Sequence, residues 1–340
     1  MSGSRSSRFI RLEASHGLVM VLDTDQKSPG GIIDQRGVRW KTSTRDRQPP
    51  ARRRTVSRST MTLRPPNLQL PALGPIAPPP GTWGTVICGL QWSIVAGRFL
   101  AEAQNPTPYS KFALTRTNRA ARCLPTRQGM LILYVPACFV AAYLWFVSLS
   151  DPNVAALLLA VHFAKRVFEV LLLHVYSGTM EVELAVGIGA FYALEALLIS
   201  SMSLPKSEIH PRFLYSGITL FVIGQLGNYY HHYLLVTLRR DLKNTKVTAE
   251  DAITAKGLPR QYLPPKGGLF ELVAMPHYFF EVVAWLGVAL TSQQLNAFVE
   301  VVSHFVYLAK RAHNTNQLYF TTFDEKEWPR SRKNLVPFVY

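Results

Sequence analysis

The chain has 340 residues, 48% of them hydrophobic and only 17% charged, with a net charge of +16 and three cysteines. Apolar windows of about 18 or more residues recur from residue 82 onward, which argues against a soluble α/β protein built from short strands between amphipathic helices. Cys88, Cys123 and Cys138 are scattered without CxxC spacing, so neither a metal site nor a disulfide framework is implied. The sequence contains no internal repeat, no phosphate-gripping GxxxxGK[ST] and no GxGxxG placed between a strand and a helix.

Residues 1–60 hold thirteen Lys or Arg against five Asp or Glu, so half of the net charge sits in a Ser/Arg-rich stretch without hydrophobic periodicity. This stretch reads as a disordered tail rather than a nucleic-acid surface. It lacks the apolar core of a secretory signal, and its acids weaken a transit-peptide reading. A proline-rich linker, "RPPNLQLPALGPIAPPPG", follows, so residues 1–81 are expected to be tail and linker and residues 82–340 a membrane domain. A start at Met61 is an alternative.

The hydropathy then predicts about seven transmembrane helices, near 83–97, 129–150, 152–175, 182–204, 213–238, 268–290 and 295–310. The fold class expected is an all-α polytopic membrane protein with a disordered basic N-terminal tail. The loops around 105–128, 176–181 and 239–267 and the C-terminal tail hold most of the remaining Lys and Arg, whereas the opposite loops hold little more than Lys206 and Arg212. The positive-inside rule puts the first set, and the C-terminus, in the cytosol.

Several spans carry polar residues. In "LLLAVHFAKRVFEVLLLHVYSGTM", His162, Lys165, Arg166 and Glu169 recur at three- and four-residue spacing and cluster on neighbouring turns. "FVIGQLGNYYHHYLLVTLRR" carries Gln225, Asn228, His231 and His232. "GGLFELVAMPHYFFEVVAWLGVAL" carries Glu271, His277, Tyr278 and Glu281, with a kink expected at Pro276. An ionisable group in hydrocarbon costs about 2.5 to 3.5 kcal/mol even on the lenient insertion scale, so such groups face a bundle interior and mark a site. One shared polar cavity is expected. The plainer readings are an insertion-easing Lys165–Glu169 ion pair, interfacial His231 and His232, and a contact of Glu271 with Lys266. Trp285 and Phe270 read as packing residues, whereas Asn228, Tyr278 and Glu281 are polar and central.

The C-terminal half, roughly residues 125–340, resembles the steroid 5α-reductase superfamily of membrane enzymes. The resemblance rests on "GNYYHHYLL", "PPKGGLFELVAMPHYFFEVVAWLGVAL" and the terminal "WPRSRKNLVPFVY". Within that superfamily, "HFAKRVFEVLLLHVYSGTM" and "MPHYFFEV" look more like the very-long-chain trans-2-enoyl-CoA reductases and the plant-type 3-oxo-5α-steroid 4-dehydrogenase family members. The steroid enzymes carry a Gln-Glu-Leu-Pro element and a later tyrosine; at the matching positions, in "RQGMLILYVPACF" and beyond, this chain has Tyr134 and Val170.

The resemblance implies a cofactor half over 182–340, with NADPH lined by Asn228, His277, Glu281, Arg311 and Tyr319. The usual His-Arg pair before Tyr319 is replaced by Asn316 and Gln317. It further implies catalytic roles for Lys165 and Tyr278, with Glu169 orienting Lys165. The substrate implied is a lipid: a long-chain enoyl-CoA, or alternatively a 3-oxo-Δ4 steroid or a polyprenol. An endoplasmic reticulum location, partners in a fatty-acid elongase complex and no nucleic-acid partner follow. The rival readings are a methyltransferase of related fold using S-adenosylmethionine and a non-catalytic membrane subunit.

The residue types suit such chemistry on their own terms. Hydride addition to the β-carbon of an enoyl thioester drives negative charge onto the carbonyl oxygen, where a preorganised donor is usually the largest catalytic contribution. Tyr278, with Lys165 as a nearby cation, supplies one, and Glu281 suits the amide of a nicotinamide.

Overall fold

The computed structural model describes residues 76–104, 122–176, 178–204, 206, 208–244 and 263–340. The expected disordered tail up to residue 75 and the basic loop residues Lys111, Arg116, Arg119, Lys246, Lys256 and Arg260 lie outside the described residues.

The protein is mostly helical, and the seven α-helices found among the described residues fall on the seven apolar segments. They are α1 (Gly81–Gln104), α2 (Thr126–Val147), α3 (Val154–Phe168), α4 (Val182–Met202), α5 (Pro211–Asn244), α6 (Pro276–Ser292) and α7 (Leu295–Thr322). Two three-residue strands, β1 (Cys123–Pro125) and β2 (Thr179–Glu181), pair antiparallel with Cys123 opposite Glu181.

Three helical segments, Gly81–Glu102, Thr126–Val147 and Val182–Met202, are long and apolar enough to cross a membrane. The remaining four fall outside that description for separate reasons. The third expected span changes type along its length: α3 has 15 residues and runs directly into a π-helical turn, Glu169–Leu173. At the sixth, the expected kink at Pro276 is instead the start of a helix. Gly267 and Gly268 take positive φ, a 3-10 turn covers Gly268–Glu271, and Pro276 opens α6, where its missing N–H breaks no helical bond. That leaves α6 with 17 residues. Helices α5 and α7 have 34 and 28 residues, but both carry buried polar side chains along their length.

The helix ends sort into two groups. At one end, β1 and β2 tie the start of α2 to the start of α4, Arg239 Nη1 donates to Val175 O at 3.0 Å, and Val273 bridges to Lys333 of the tail. At the other, Asn153 Nδ2 donates to Ser200 O at 2.6 Å, His210 N to Gln293 Oε1 at 3.0 Å, and Ala77 bridges to Gln294. Successive helices therefore alternate in direction, as the sorting of charged loops requires.

Large apolar side chains point outward: Phe139, Phe146, Leu172 and Leu226 are each at least 65% exposed. That surface suits lipid rather than water. Inside, Leu133, Leu159, Phe163, Ile199 and Trp285 pack between α2, α3, α4 and α6. Helix α5 comes close to α6 because its facing residues are small: a Cβ on Gly224 would stand 2.5 Å from Ala284 N, and one on Gly227 2.3 Å from Phe280. This close approach sets Asn228 against the first turns of α6.

Candidate active site

Glu169 stands where α3 gives way to the π-helical turn, and its side chain is fully buried. Its carboxylate lies 3.0 Å from Lys165 Nζ, 2.6 Å from Arg166 Nη1 and 3.1 Å from His232 Nδ1 of α5. A widened turn of this kind is frequent at functional sites. Here it lies beside two cations from the preceding turn and a histidine from the next helix, all converging on one carboxylate.

Arg166 also reaches α2, donating from Nη2 to the Tyr134 hydroxyl at 2.7 Å, while the Tyr134 ring stacks on Tyr192 of α4. Lys165 reaches α5, donating to Asn228 Oδ1. Asn228 passes the connection to α6: its Nδ2 donates to His277 O at 2.9 Å and to Glu281 Oε2 at 3.2 Å. Four helices are thus joined by one network of two cations and two carboxylates, so its formal charge closes to zero with the histidines neutral.

The three polar segments do converge, as the sequence suggests. What they build is a bonded network. The cavities described, of about 260 Å³ beside Leu234, Leu263 and Lys266 and about 570 Å³ beside Phe305, Lys310 and Tyr340, lie apart from it.

Of the eight predicted site residues, Glu169, Asn228, His277, Arg311 and Tyr319 are buried, and Lys165, Tyr278 and Glu281 keep partial exposure. On α6, His277, Glu281 and Tyr278 share an arc of about 100°. Tyr278 packs on a cluster that includes Ala274, Met275, Ala312, Tyr319 and Trp328. Tyr319 belongs to that cluster, its ring centroid 4.7 Å from that of Trp328. Arg311 is not joined to the Lys165 network by any contact described; it pairs with Glu102 of α1 at 3.4 Å.

Other expectations are corrected. Glu271 pairs with Arg332 of the tail at 3.0 Å and accepts from Gly267 N at 2.8 Å, in place of the expected contact with Lys266. His231 and His232 are buried rather than interfacial. The His231 ring joins Gly227 O to the 3-10 turn, accepting from Leu269 N at 3.1 Å. Asn316 is a structural pin: its Oδ1 accepts from Trp328 Nε1 at 2.8 Å, and its Nδ2 donates to Asn334 Oδ1 at 2.9 Å and to Arg332 O at 3.2 Å. Sequence reasoning noted Tyr134 as a departure without finding its partner, and it missed Glu102. A tyrosine and a lone glutamate inside apolar helices were the only signals.

A nicotinamide fits one part of this site. Glu281 offers the network one carboxylate oxygen; its Oε1 makes no hydrogen bond among the described residues, so it can accept from a carboxamide N–H. Asn228 is engaged by protein partners at both ends and holds Glu281 and Lys165.

Apolar, outward-facing helices around a buried, charge-compensated network define an integral membrane protein with an internal polar site. Residues 166–340 match the family model described as 3-oxo-5-alpha-steroid 4-dehydrogenase, and the chain belongs to that family. Among its relatives, a "Very-long-chain enoyl-CoA reductase" of Dictyostelium discoideum is 28% identical over 55% of this chain and 58% of its own length. A "3-oxo-5-alpha-steroid 4-dehydrogenase 2" of Macaca fascicularis is 27% identical over 75% of this chain and 96% of its own. A "3-oxo-5-alpha-steroid 4-dehydrogenase 1" of Rattus norvegicus is 34% identical over 38% and 43%. The chain thus spans about half the length of two of these relatives and nearly all of the third.

Proposed function

We propose that the protein is a membrane oxidoreductase that uses NADPH to reduce the conjugated carbon–carbon double bond of a lipid, with a long-chain trans-2-enoyl-CoA as its substrate. The observation that carries this reading is the Lys165–Asn228–Glu281 relay, which holds a cation and a carboxylate at a fixed separation across α3, α5 and α6.

NADPH, when bound, supplies the hydride; the protein contributes position and electrostatics. Glu281, with Oε1 open, orients the carboxamide, and Asn228 holds Glu281 in place. Addition at the β-carbon moves negative charge to the thioester oxygen. The Tyr278 hydroxyl donates to that oxygen, and Lys165 supplies a positive field, itself held by Glu169. The α-carbon then takes its proton from Tyr278 or from water. Tyr319 belongs to the cluster on which the Tyr278 ring packs. Arg311 enters as a cofactor contact by resemblance, with Glu102 at 3.4 Å to hold its guanidinium.

The thioester is favoured over a 3-oxo steroid by Tyr134. Where the steroid enzymes are expected to carry a glutamate, this chain has a phenol already engaged by Arg166 and stacked on Tyr192. The second reading, reduction of a 3-oxo-Δ4 steroid, is supported by the relative of which the chain covers 96%. Placement in the endoplasmic reticulum with a cytosolic C-terminus, and association with elongase subunits, belong to the first reading.

The test is NADPH oxidation by the purified full chain, offered a long-chain trans-2-enoyl-CoA, a 3-oxo-Δ4 steroid and a polyprenol in parallel. Oxidation with the thioester is expected. Oxidation with the steroid alone would select the second reading. A melting temperature raised by S-adenosylmethionine and not by NADPH would indicate a methyltransferase, and silence without NADPH binding a non-catalytic subunit.

A further inference from the structure

Away from this network, a second buried group of ionisable side chains lies between α1, α4 and α7. Glu195 of α4 is 2% exposed, and Glu300 and His304 of α7 are each 3% exposed. One ligand atom from each of the three lies within 4.8 Å of the other two. Glu300 and His304 are four residues apart, so α7 presents both on one face.

The histidine is set up as a ligand. His304 Nδ1 lies 2.9 Å from Glu300 O, a carbonyl that can only accept, so Nδ1 carries the proton. In the neutral ring, Nε2 then keeps its lone pair, and it lies 3.9 Å from Glu195 Oε2. Metal-binding imidazoles are fixed this way, with the outer nitrogen donating to a carbonyl or carboxylate. Trp285 stacks on the ring at a centroid distance of 4.1 Å and limits its rotation.

The carboxylate opposite is under-satisfied. Gln91 of α1 donates from Nε2 to Glu300 Oε1 at 3.0 Å, but Glu300 Oε2 is buried without a hydrogen bond, and so is Gln91 Oε1. A bare carboxylate oxygen inside a helix bundle is costly, and two carboxylates this close repel each other unless a cation or a proton stands between them. The triad Glu169, His174 and His232 offers the same residue types at similar distances. There, Lys165 and Arg166 already neutralise the carboxylate; Glu300 has no such cationic partner among the described residues.

We infer that Glu195, Glu300 and His304 bind one divalent transition-metal cation of the zinc or manganese class. Two carboxylates and a neutral imidazole match a 2+ charge, and a mixed N/O set suits these ions. Ligand bonds of about 2.0–2.2 Å require the side chains to close by under about an ångström from the present spacing. Gln91 orients Glu300 from α1, so the ion ties three helices together. It is a structural site, apart from the hydride-transfer network.

The test uses the full chain in detergent, purified without metal-affinity resin. Metal content is measured by mass spectrometry, and thermal melting is followed after chelation and addition of ZnCl2 or MnCl2, with MgCl2 as control. Expected are about one zinc or manganese ion per chain and a melting temperature raised by that ion but not by magnesium. Glu300→Gln keeps the size of the side chain and removes its charge; it should lower metal content at least tenfold and abolish the shift, as should Glu195→Gln. Wild-type protein with neither stoichiometric metal nor a shift would overturn the inference. Equal metal content in wild type and both variants would overturn it by placing the ion elsewhere. The wild-type measurements decide the matter even where a variant does not fold.

Discussion

Asn228 connects Lys165 to Glu281: its Oδ1 accepts from the ammonium, and its Nδ2 donates to the carboxylate at 3.2 Å and to His277 O at 2.9 Å. A single amide therefore spaces the two charged groups that the proposed reaction uses. Asn228→Leu keeps the volume and removes every one of these bonds. It should cost about 1–3 kcal/mol for each buried partner left unsatisfied, which thermal melting of the detergent-solubilised protein measures.

Glu169 holds both cations of α3, and removing it leaves Arg166 buried without its carboxylate. Glu169→Gln should lose about 3–5 kcal/mol, whereas adding Arg166→Met in the same chain should recover part of that loss. A double-mutant cycle on melting data checks this, with non-additivity as the expected sign of direct pairing.

Tyr134→Phe keeps the ring stacked on Tyr192 and takes away only the acceptor for Arg166 Nη2. A hydrogen bond to a charged group contributes about 1.5–3 kcal/mol, so a melting shift of that size without a cavity is expected. Urea unfolding at unchanged slope provides the measurement.

The C-terminal tail should depend on Asn316. Its amide holds Trp328 Nε1, Arg332 O and Asn334 Oδ1, while Glu271 holds Arg332. Asn316→Leu should release the tail, and trypsin should then cleave after Arg330 and Lys333 at least several-fold faster than in wild type. Equal cleavage would mean that Arg332 and the Trp328 packing suffice.

Much of this was legible in the sequence. Seven apolar runs marked seven helices because hydropathy needs only local composition. Lys165 and Glu169 could be paired from their spacing, and family motifs gathered Asn228, His277 and Glu281. Where the helices start and stop was less legible. Pro276 is consistent with either a kink or a start, and only the positive φ of Gly267 and Gly268 separates the two. Partners far apart in the chain were hidden for a different reason. Nothing local joins Arg166 to Tyr134 or Arg311 to Glu102, 209 residues away. Glu300 and His304 are visible as a four-residue pair in "VEVVSHF", but their third member, Glu195, comes from another helix.

The most direct test of the central claim is NADPH oxidation with a long-chain trans-2-enoyl-CoA, comparing wild type with Tyr278→Phe. The account expects steady turnover by the wild type and a loss of at least a hundredfold in kcat for the variant. NADPH binding should stay the same, because phenylalanine keeps the ring that packs on the cluster of Tyr319 and Trp328. Undiminished turnover in Tyr278→Phe would contradict the assignment of that hydroxyl to the thioester oxygen.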